Sequence, residues 1–218
     1  MPWFDGGVLD VLKTGPEDPT RLIVHLPGWG DRAAAHLATL EVLADDTTTV
    51  VVAEPLMGER PRRWYDVDDD GPRLDQVRDA VAAVRELLGT LGEQHARADI
   101  TLTGFSQGGA LALAVAASSD GGPTPRAVAS LGGYLLARDE LDFARMAGLP
   151  VLVAHGVDDE MIEPLRGRAA ARAMHRADAV VQWSEVDGGH VLAGPLVTAL
   201  VDWDTAIVRG EHPSAPPV

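Results

Sequence analysis

The chain has 218 residues, 46% of them apolar, and folding at a mass of 23.0 kDa removes roughly 70% of the unfolded surface, enough for one core without disulfide or metal. It contains no cysteine, which excludes a disulfide scaffold, a Cys-ligated zinc or iron–sulfur site and a Cys nucleophile. The 18 Lys and Arg against 33 Asp and Glu give a net charge of -15, a field that repels phosphate backbones and anionic membrane surfaces, so nucleic acid is not an expected partner.

From the amino end, residues 1–10 hold no basic region followed by an apolar run and include Asp5, so no secretory signal is read there. Beyond them, β-branched apolar runs alternate with segments of helical spacing, the pattern of an α/β fold with a mainly parallel sheet and helices on both faces. Strands are predicted near 8–12 and over 21–26, a helix over 31–44, and a strand over 48–53. Residues 54–71 have no sustained period and carry Pro, Gly, Arg and an Asp66, Asp68, Asp69, Asp70 run around Trp64 and Tyr65. A loop of this length is a candidate wall or lid, and its Asp run reads as a solvated surface rather than a metal site. Val77, Val81, Val84, Leu88 and Leu91 share one helix face, with Pro72 placed at the first turn. A strand over 100–103, a helix over 107–117, strands over 126–131 and 151–155, a helix over 163–177 and a strand over 180–186 follow. The last helix carries Leu196, Leu200, Trp203 and Ile207 on one face. Residues 1–208 are expected to form one domain and the Pro- and Ser-rich residues 209–218 a loosely ordered tail. The most apolar windows, 110–117 and 191–201, are too short or too broken by Gly and Pro to cross a bilayer. No membrane insertion is expected, and a cytoplasmic location is.

The chemistry centres on Gly104, Phe105, Ser106, Gln107 and Gly108, a G-x-S-x-G pattern with a predicted strand before it and an Ala/Leu helix after it. In that context a serine sits on a strained turn, its hydroxyl raised above the sheet edge at a helix N-terminus that favours developing negative charge. A free serine is a poor nucleophile, so a histidine base and an orienting acid are required, and in hydrolases of this α/β fold they follow in the chain order serine, acid, histidine. Of the downstream histidines, His155 closes a strand, His175 lies in a helix and His212 sits in the tail. His190 follows a strand through Asp187, Gly188 and Gly189, in a loop able to reach over the serine. The acid belongs after the strand at 151–155, where Asp158 and Asp159 compete; spacing favours Asp159 without settling the choice. Reading His155, Asp158 and Asp159 as a metal site lacks further ligands at useful spacing. An oxyanion hole needs two backbone N–H groups, and Gln107 supplies one. The turn Pro27, Gly28, Trp29, Gly30, Asp31 supplies the other; Pro27 has no N–H, so the donor falls on Trp29.

These residues resemble a known family. Gly104 to Gly109, with Gly28, Trp29, Gly30, Asp31 and Trp64, Tyr65, Asp66 before them and His155, Gly156, Asp159, Gly189 and His190 after, resemble the phospholipase/carboxylesterase family, which includes small bacterial carboxylesterases and acyl-protein thioesterases. The resemblance implies an α/β-hydrolase fold with Ser106 as nucleophile, Asp159 as acid, His190 as base and an oxyanion hole at Trp29 and Gln107. It decides between Asp158 and Asp159. The chain departs from the family at Pro27, where a His is usual, and at Glu160, where a Pro is common.

The expected activity is hydrolysis of carboxylic esters or thioesters of short to medium acyl chains through an acyl-enzyme, with no metal or organic cofactor. Trp29, Trp64, Tyr65 and Ile162 are the expected substrate contacts. The partner is a small-molecule ester or thioester, and a homodimer is compatible with the sequence. Two other classes fit the same fold pattern. One is a hydrolase-fold binding protein with a silent triad. The other is a nucleotide-binding α/β domain, disfavoured because no G-x-G-x-x-G occurs and no Lys follows the glycine turn.

Overall fold

The computed structural model describes residues 9–58, 61–118, 124–136 and 143–211. Seven of its strands are β1 (Val11–Thr14), β2 (Arg21–Leu26), β3 (Thr48–Ala53), β6 (Asp99–Phe105), β7 (Ala127–Leu131), β8 (Pro150–Gly156) and β9 (Val180–Val186), and they form one sheet in the order β1-β3-β2-β6-β7-β8-β9. A separate ribbon pairs β4 (Val67–Asp68) with β5 (Gly71–Pro72). Only β1 is antiparallel to its neighbour in the large sheet. The interior strands need apolar side chains on both faces because helices cover both; β3, TTVVVA, is buried along its whole length.

The helices are α1 (Ala33–Leu40), α2 (Leu74–Gln94), α3 (Gln107–Ala116), α4 (Pro164–Arg176) and α5 (Gly194–Val208). Alternation along β2 sends Leu22, Val24 and Leu26 into one core with α2, α3 and α4, and Ile23 into the other with α1 and α5. Every residue of α3 is buried, so after Gln107 this helix is built of Ala, Gly, Leu and Val alone, and it lies between the sheet and α2. The α2 stripe at Val77, Val81, Val84, Leu88 and Leu91 is buried as its spacing requires.

Some boundaries differ from the sequence reading. Pro72 lies in the β4–β5 ribbon opposite Val67, and α2 begins at Leu74 with Arg73 as its N-cap, so Pro72 does not start the helix. The segment expected as one helix over 31–44 is α1 followed by a tight 3-10 turn at Glu41–Leu43. The first strand falls at Val11–Thr14, later than 8–12, because its partner is β3. Residues 212–218, with His212, lie outside the described residues. The N–H groups of Arg209, Gly210 and Glu211 still bond to the last turn of α5, so these first three residues of the expected tail are fixed.

Since β2, β6, β7, β8 and β9 are parallel, the loops that follow them all open on the carboxyl edge of the sheet. This is the edge at which open α/β sheets bind ligands.

Candidate active site

Between β6 and α3 the chain turns sharply at Ser106, whose φ of 54° and ψ of -118° fall where an L-residue is strained. The neighbours explain how the turn is tolerated. A Cβ on Gly104 would run into the carbonyl of Gly108, and one on Gly108 into the carbonyls of Leu26 and Pro27. Both are backbone and cannot swing away, so only glycine fits. The Ser106 N–H donates to Leu131 O at 2.8 Å, tying the elbow to the neighbouring strand.

The Ser106 hydroxyl lies 2.8 Å from His190 Nε2, and His190 Nδ1 lies 2.6 Å from Asp159 Oδ2. A carboxylate can only accept, so Nδ1 carries the proton and leaves Nε2 free to accept from the serine. The Phe105 ring stands 4.8 Å from the imidazole and fixes its plane from one side. Asp159 is buried and fully bonded. Its Oδ1 accepts the N–H groups of Met161 at 3.0 Å and Ile162 at 2.8 Å, which lock the side chain to its own turn. Asp158 is exposed instead, its N–H spent on Gly188 O, and Glu160 and Glu163 are exposed as well.

Behind the acid stands His155, which the sequence reading set aside. Its Nε2–H donates to Ile162 O at 2.8 Å and lies 3.1 Å from Asp159 Oδ2, so two imidazoles flank one carboxylate oxygen. His155 is fully buried, and the absence of a side chain on Gly167 makes room for its ring.

The turn from Pro27 to Asp31, the expected oxyanion turn, lies directly over the serine, for a Cβ on Gly28 would come within 3.2 Å of Ser106 Cβ. Gly30 N–H donates to Arg62 O at 2.8 Å and Asp31 N–H to Gly28 O at 3.3 Å. Among the described residues no acceptor takes the N–H of Trp29. The Gln107 N–H heads α3, where no intrahelical acceptor exists. The Trp29 indole is 43% exposed beneath the Arg63 guanidinium, which sits 5.8 Å above the ring.

Trp64 and Tyr65 are not where the substrate reading puts them. Both are 0% exposed, which leaves no surface for a substrate to touch. The Gln107 amide holds the pair: Trp64 N–H donates to its Oε1 and its Nε2–H donates to Tyr65 O, each at 2.8 Å. Trp64 Nε1–H donates to Pro27 O at 2.8 Å, and Tyr65 shares a 2.9 Å hydroxyl bond with Tyr134. Burial first, and Tyr134 second, hold the Tyr65 phenol well above the usual tyrosine range, so it stays a donor. Trp64 and Tyr65 therefore pin residues 61–66 as a strap under the turn from Pro27 to Asp31. Ile162, the fourth expected contact, is half-buried at the acid turn. Among the described residues no group of three or more His, Asp or Glu could hold a metal ion.

The family model for phospholipases and carboxylesterases matches residues 11–195, which include all the residues described above at the carboxyl edge. The chain belongs to the phospholipase/carboxylesterase family. It is thus a hydrolase of the carboxylesterase type with the α/β-hydrolase fold, and solved structures agree on that fold. A carboxylesterase from Mesorhizobium loti is similar at a TM-score of 0.82 and 20% identity, over 94% of this chain and 98% of that one. Acyl-protein thioesterase 2 of Zea mays is similar at 0.74 and 22%, over 90% and 97%. A Bacillus cereus carboxylesterase is similar at 0.76 and 16%, over 91% and 94%. Among the described residues of this hydrolase no helix is long and apolar enough to cross a membrane.

Proposed function

We propose that this hydrolase cleaves carboxylic esters or thioesters of short to medium acyl chains through an acyl-enzyme on Ser106. The observation that carries the reading is the continuous line Ser106 Oγ, His190, Asp159, at 2.8 and 2.6 Å. Ser106 Oγ attacks the acyl carbon while its proton passes to His190 Nε2, and the carbonyl oxygen gains negative charge. The N–H groups of Trp29 and Gln107 stabilise that oxygen. His190 then gives its proton to the leaving alcohol or thiol as the bond to the acyl carbon breaks. Water repeats the sequence in the second half: its proton goes to His190, its oxygen to the acyl carbon, and Ser106 leaves with the proton returned. Asp159 stays ionised throughout, stabilising the imidazolium, and its four contacts keep it from rotating.

Apolar side chains next to the candidate triad in sequence support the substrate class. Trp29, itself a candidate oxyanion residue, and Met161 and Val191, within two residues of Asp159 and His190, are large apolar side chains left exposed. Exposed apolar side chains at these turns suit an apolar acyl or alcohol portion. The carboxylesterase and thioesterase neighbours share this class of chemistry by name, which supports the reading. The net charge of -15 favours dissolved substrates over an anionic membrane surface.

A fluorophosphonate probe tests this directly. Wild type is expected to be labelled on Ser106, with labelling lost in Ser106→Ala and reduced by orders of magnitude in His190→Ala while both variants stay folded. A folded but unlabelled wild type would identify a binding protein instead. A p-nitrophenyl ester series, C2 to C16, is expected to peak at the short to medium acyl lengths.

A further inference from the structure

On the α1 side of the sheet, opposite the core that holds α3, two histidines are buried that the proposed reaction does not use. His25 stands on β2 at a position whose neighbours on that face are Ile23 and the apolar residues of α1, β3 and α5. Its Nδ1 is 2.8 Å from Thr103 Oγ1 on β6, and its Nε2 is 2.9 Å from Nδ1 of His36 on α1. His36, also buried, has Nε2 3.2 Å from Asp31 Oδ2. This series of contacts ends on the oxyanion turn itself, for the same Asp31 oxygen lies 2.6 Å from where a Cβ on Gly28 would stand.

We propose that Thr103, His25, His36 and Asp31 form a positioning chain that presses the Asp31 carboxylate against Gly28 and so fixes the direction of the Trp29 N–H. The proposal rests on the reading of Trp29 as an oxyanion donor given above.

Two imidazoles buried in an apolar layer are worse for stability than well-packed leucines unless every polar atom is satisfied, so core packing alone does not explain them. Here one order of donors satisfies all of them with both rings neutral. The Thr103 hydroxyl donates to His25 Nδ1, His25 Nε2–H donates to His36 Nδ1, and His36 Nε2–H donates to the Asp31 carboxylate. The hydroxyl's other acceptor, Val24 O, is 3.4 Å away, so the 2.8 Å contact to His25 is the stronger one. Burial first, and the neighbouring His36 second, hold His25 well below the usual histidine range, so that ring stays uncharged.

The geometry of the turn gives this positioning chain its purpose. The α1 N-cap, Arg32, makes no side-chain cap, so the helix does not itself anchor the turn that enters it. Pro27 has no N–H, and the turn's internal bond, from Asp31 N–H to Gly28 O, is long at 3.3 Å; the bonds from Gly30 N–H to Arg62 O and from Trp64 Nε1–H to Pro27 O hold the turn on either side of Gly28 and the Trp29 N–H, not at them. With a glycine on either side of Trp29, backbone stiffness cannot hold that N–H in one direction. A carboxylate packed on Gly28 and secured through two rings to the central strands can.

Asp31 is the place to test it, because its side chain is 38% exposed and its loss leaves the core intact. Two quantities are read in wild type, Asp31→Ala, Asp31→Asn and His36→Ala: hydrogen exchange of the peptide spanning residues 27–33, and kcat and KM on a p-nitrophenyl ester. In Asp31→Ala and His36→Ala the peptide is expected to exchange about tenfold faster or more, and kcat to fall by about 10- to 100-fold with KM within twofold, as for a misplaced oxyanion donor. Asp31→Asn keeps an acceptor for His36 and is expected to recover most of both. If exchange is unchanged in Asp31→Ala, or if exchange rises while kcat holds, the proposal is overturned. A wild type that fluorophosphonate does not label refutes the ester reading instead, and the exchange results of the Asp31 pair alone then decide whether the chain orders the turn.

Discussion

Two pieces of backbone support the ground around Ser106 and are held in opposite ways. The elbow from Gly104 to Gly108 is fixed by what is missing: side chains that would collide with carbonyls a few residues away or on the adjoining turn. The strap at residues 61–66 is fixed by polar contacts, the most distant of them from Gln107. Met57 exchanges both backbone bonds with Arg63 at 3.0 Å, Gln76 Oε1 accepts Asp66 N–H at 2.6 Å, and the Gln107 amide spans Trp64 and Tyr65. Arg63 also pairs with Asp66. The elbow is thus specified by local sterics and the strap by long-range polar contacts to a single buried side chain above all. The two should fail differently when perturbed.

The largest effect is expected at the elbow. In Gly108→Ala the new methyl meets the carbonyls of Leu26 and Pro27, and neither strand β2 nor the turn after it can yield without moving Ser106. A loss of about 4 kcal/mol or more, or no folded protein at all, is the expected result in urea unfolding. Gly92, inside α2 with nothing within 4 Å of where a Cβ would stand, is the matched control and gains about 0.5–1 kcal/mol as alanine. Equal tolerance of the two substitutions would remove the steric half of the comparison.

That contrast also explains what was legible in the sequence. G-F-S-Q-G could be read because each glycine answers a local demand of one turn. The strands at 21–26 and 48–53 could be read because burial on both faces forces largely apolar runs, and the half-buried edge strand at 180–186 because Val180 and Val181 open it between turn signals. His190 followed from chain order, whereas Asp158 and Asp159 could not be separated by spacing. What distinguishes them is the capture of one carboxylate oxygen by the N–H groups of Met161 and Ile162, a detail of turn geometry. Trp64 and Tyr65 were found, but their direction was misread. An aperiodic loop carries no signal for which side of a chain faces inward, and the Gln107 amide that turns them inward lies more than forty residues away. His25 carried a readable hint, as a polar residue on the same strand face as Ile23; its partner His36 on α1 did not.

A middle-sized effect is expected at Gln107. Removing the amide in Gln107→Ala leaves Trp64 N–H and Tyr65 O buried without partners while the residue's own backbone N–H stays in place. Stability is expected to fall by about 2–4 kcal/mol, and kcat by less than about tenfold because the proposed oxyanion donor survives. Urea unfolding together with ester kinetics separates the two quantities. A stability loss under about 0.5 kcal/mol would mean that the strap is held by its own turns, as the elbow is, and the comparison would lose its second half.

The smallest effect belongs to Trp64→Phe, which deletes a single donor and leaves Pro27 O without it. The expected cost is about 1–2 kcal/mol, part from the orphaned carbonyl and part from the lost volume. Its value lies in the double variant. If the strap is one unit anchored through Gln107, then once the amide is gone the indole has already lost its fixed position, and the second substitution should cost less than it does alone. A non-additivity of about 0.5–2 kcal/mol is the signature of that shared anchoring. Strict additivity would instead assign Trp64 to the proposed oxyanion turn alone, making its indole a prop under Pro27 from one side while Asp31 and His36 act from the other.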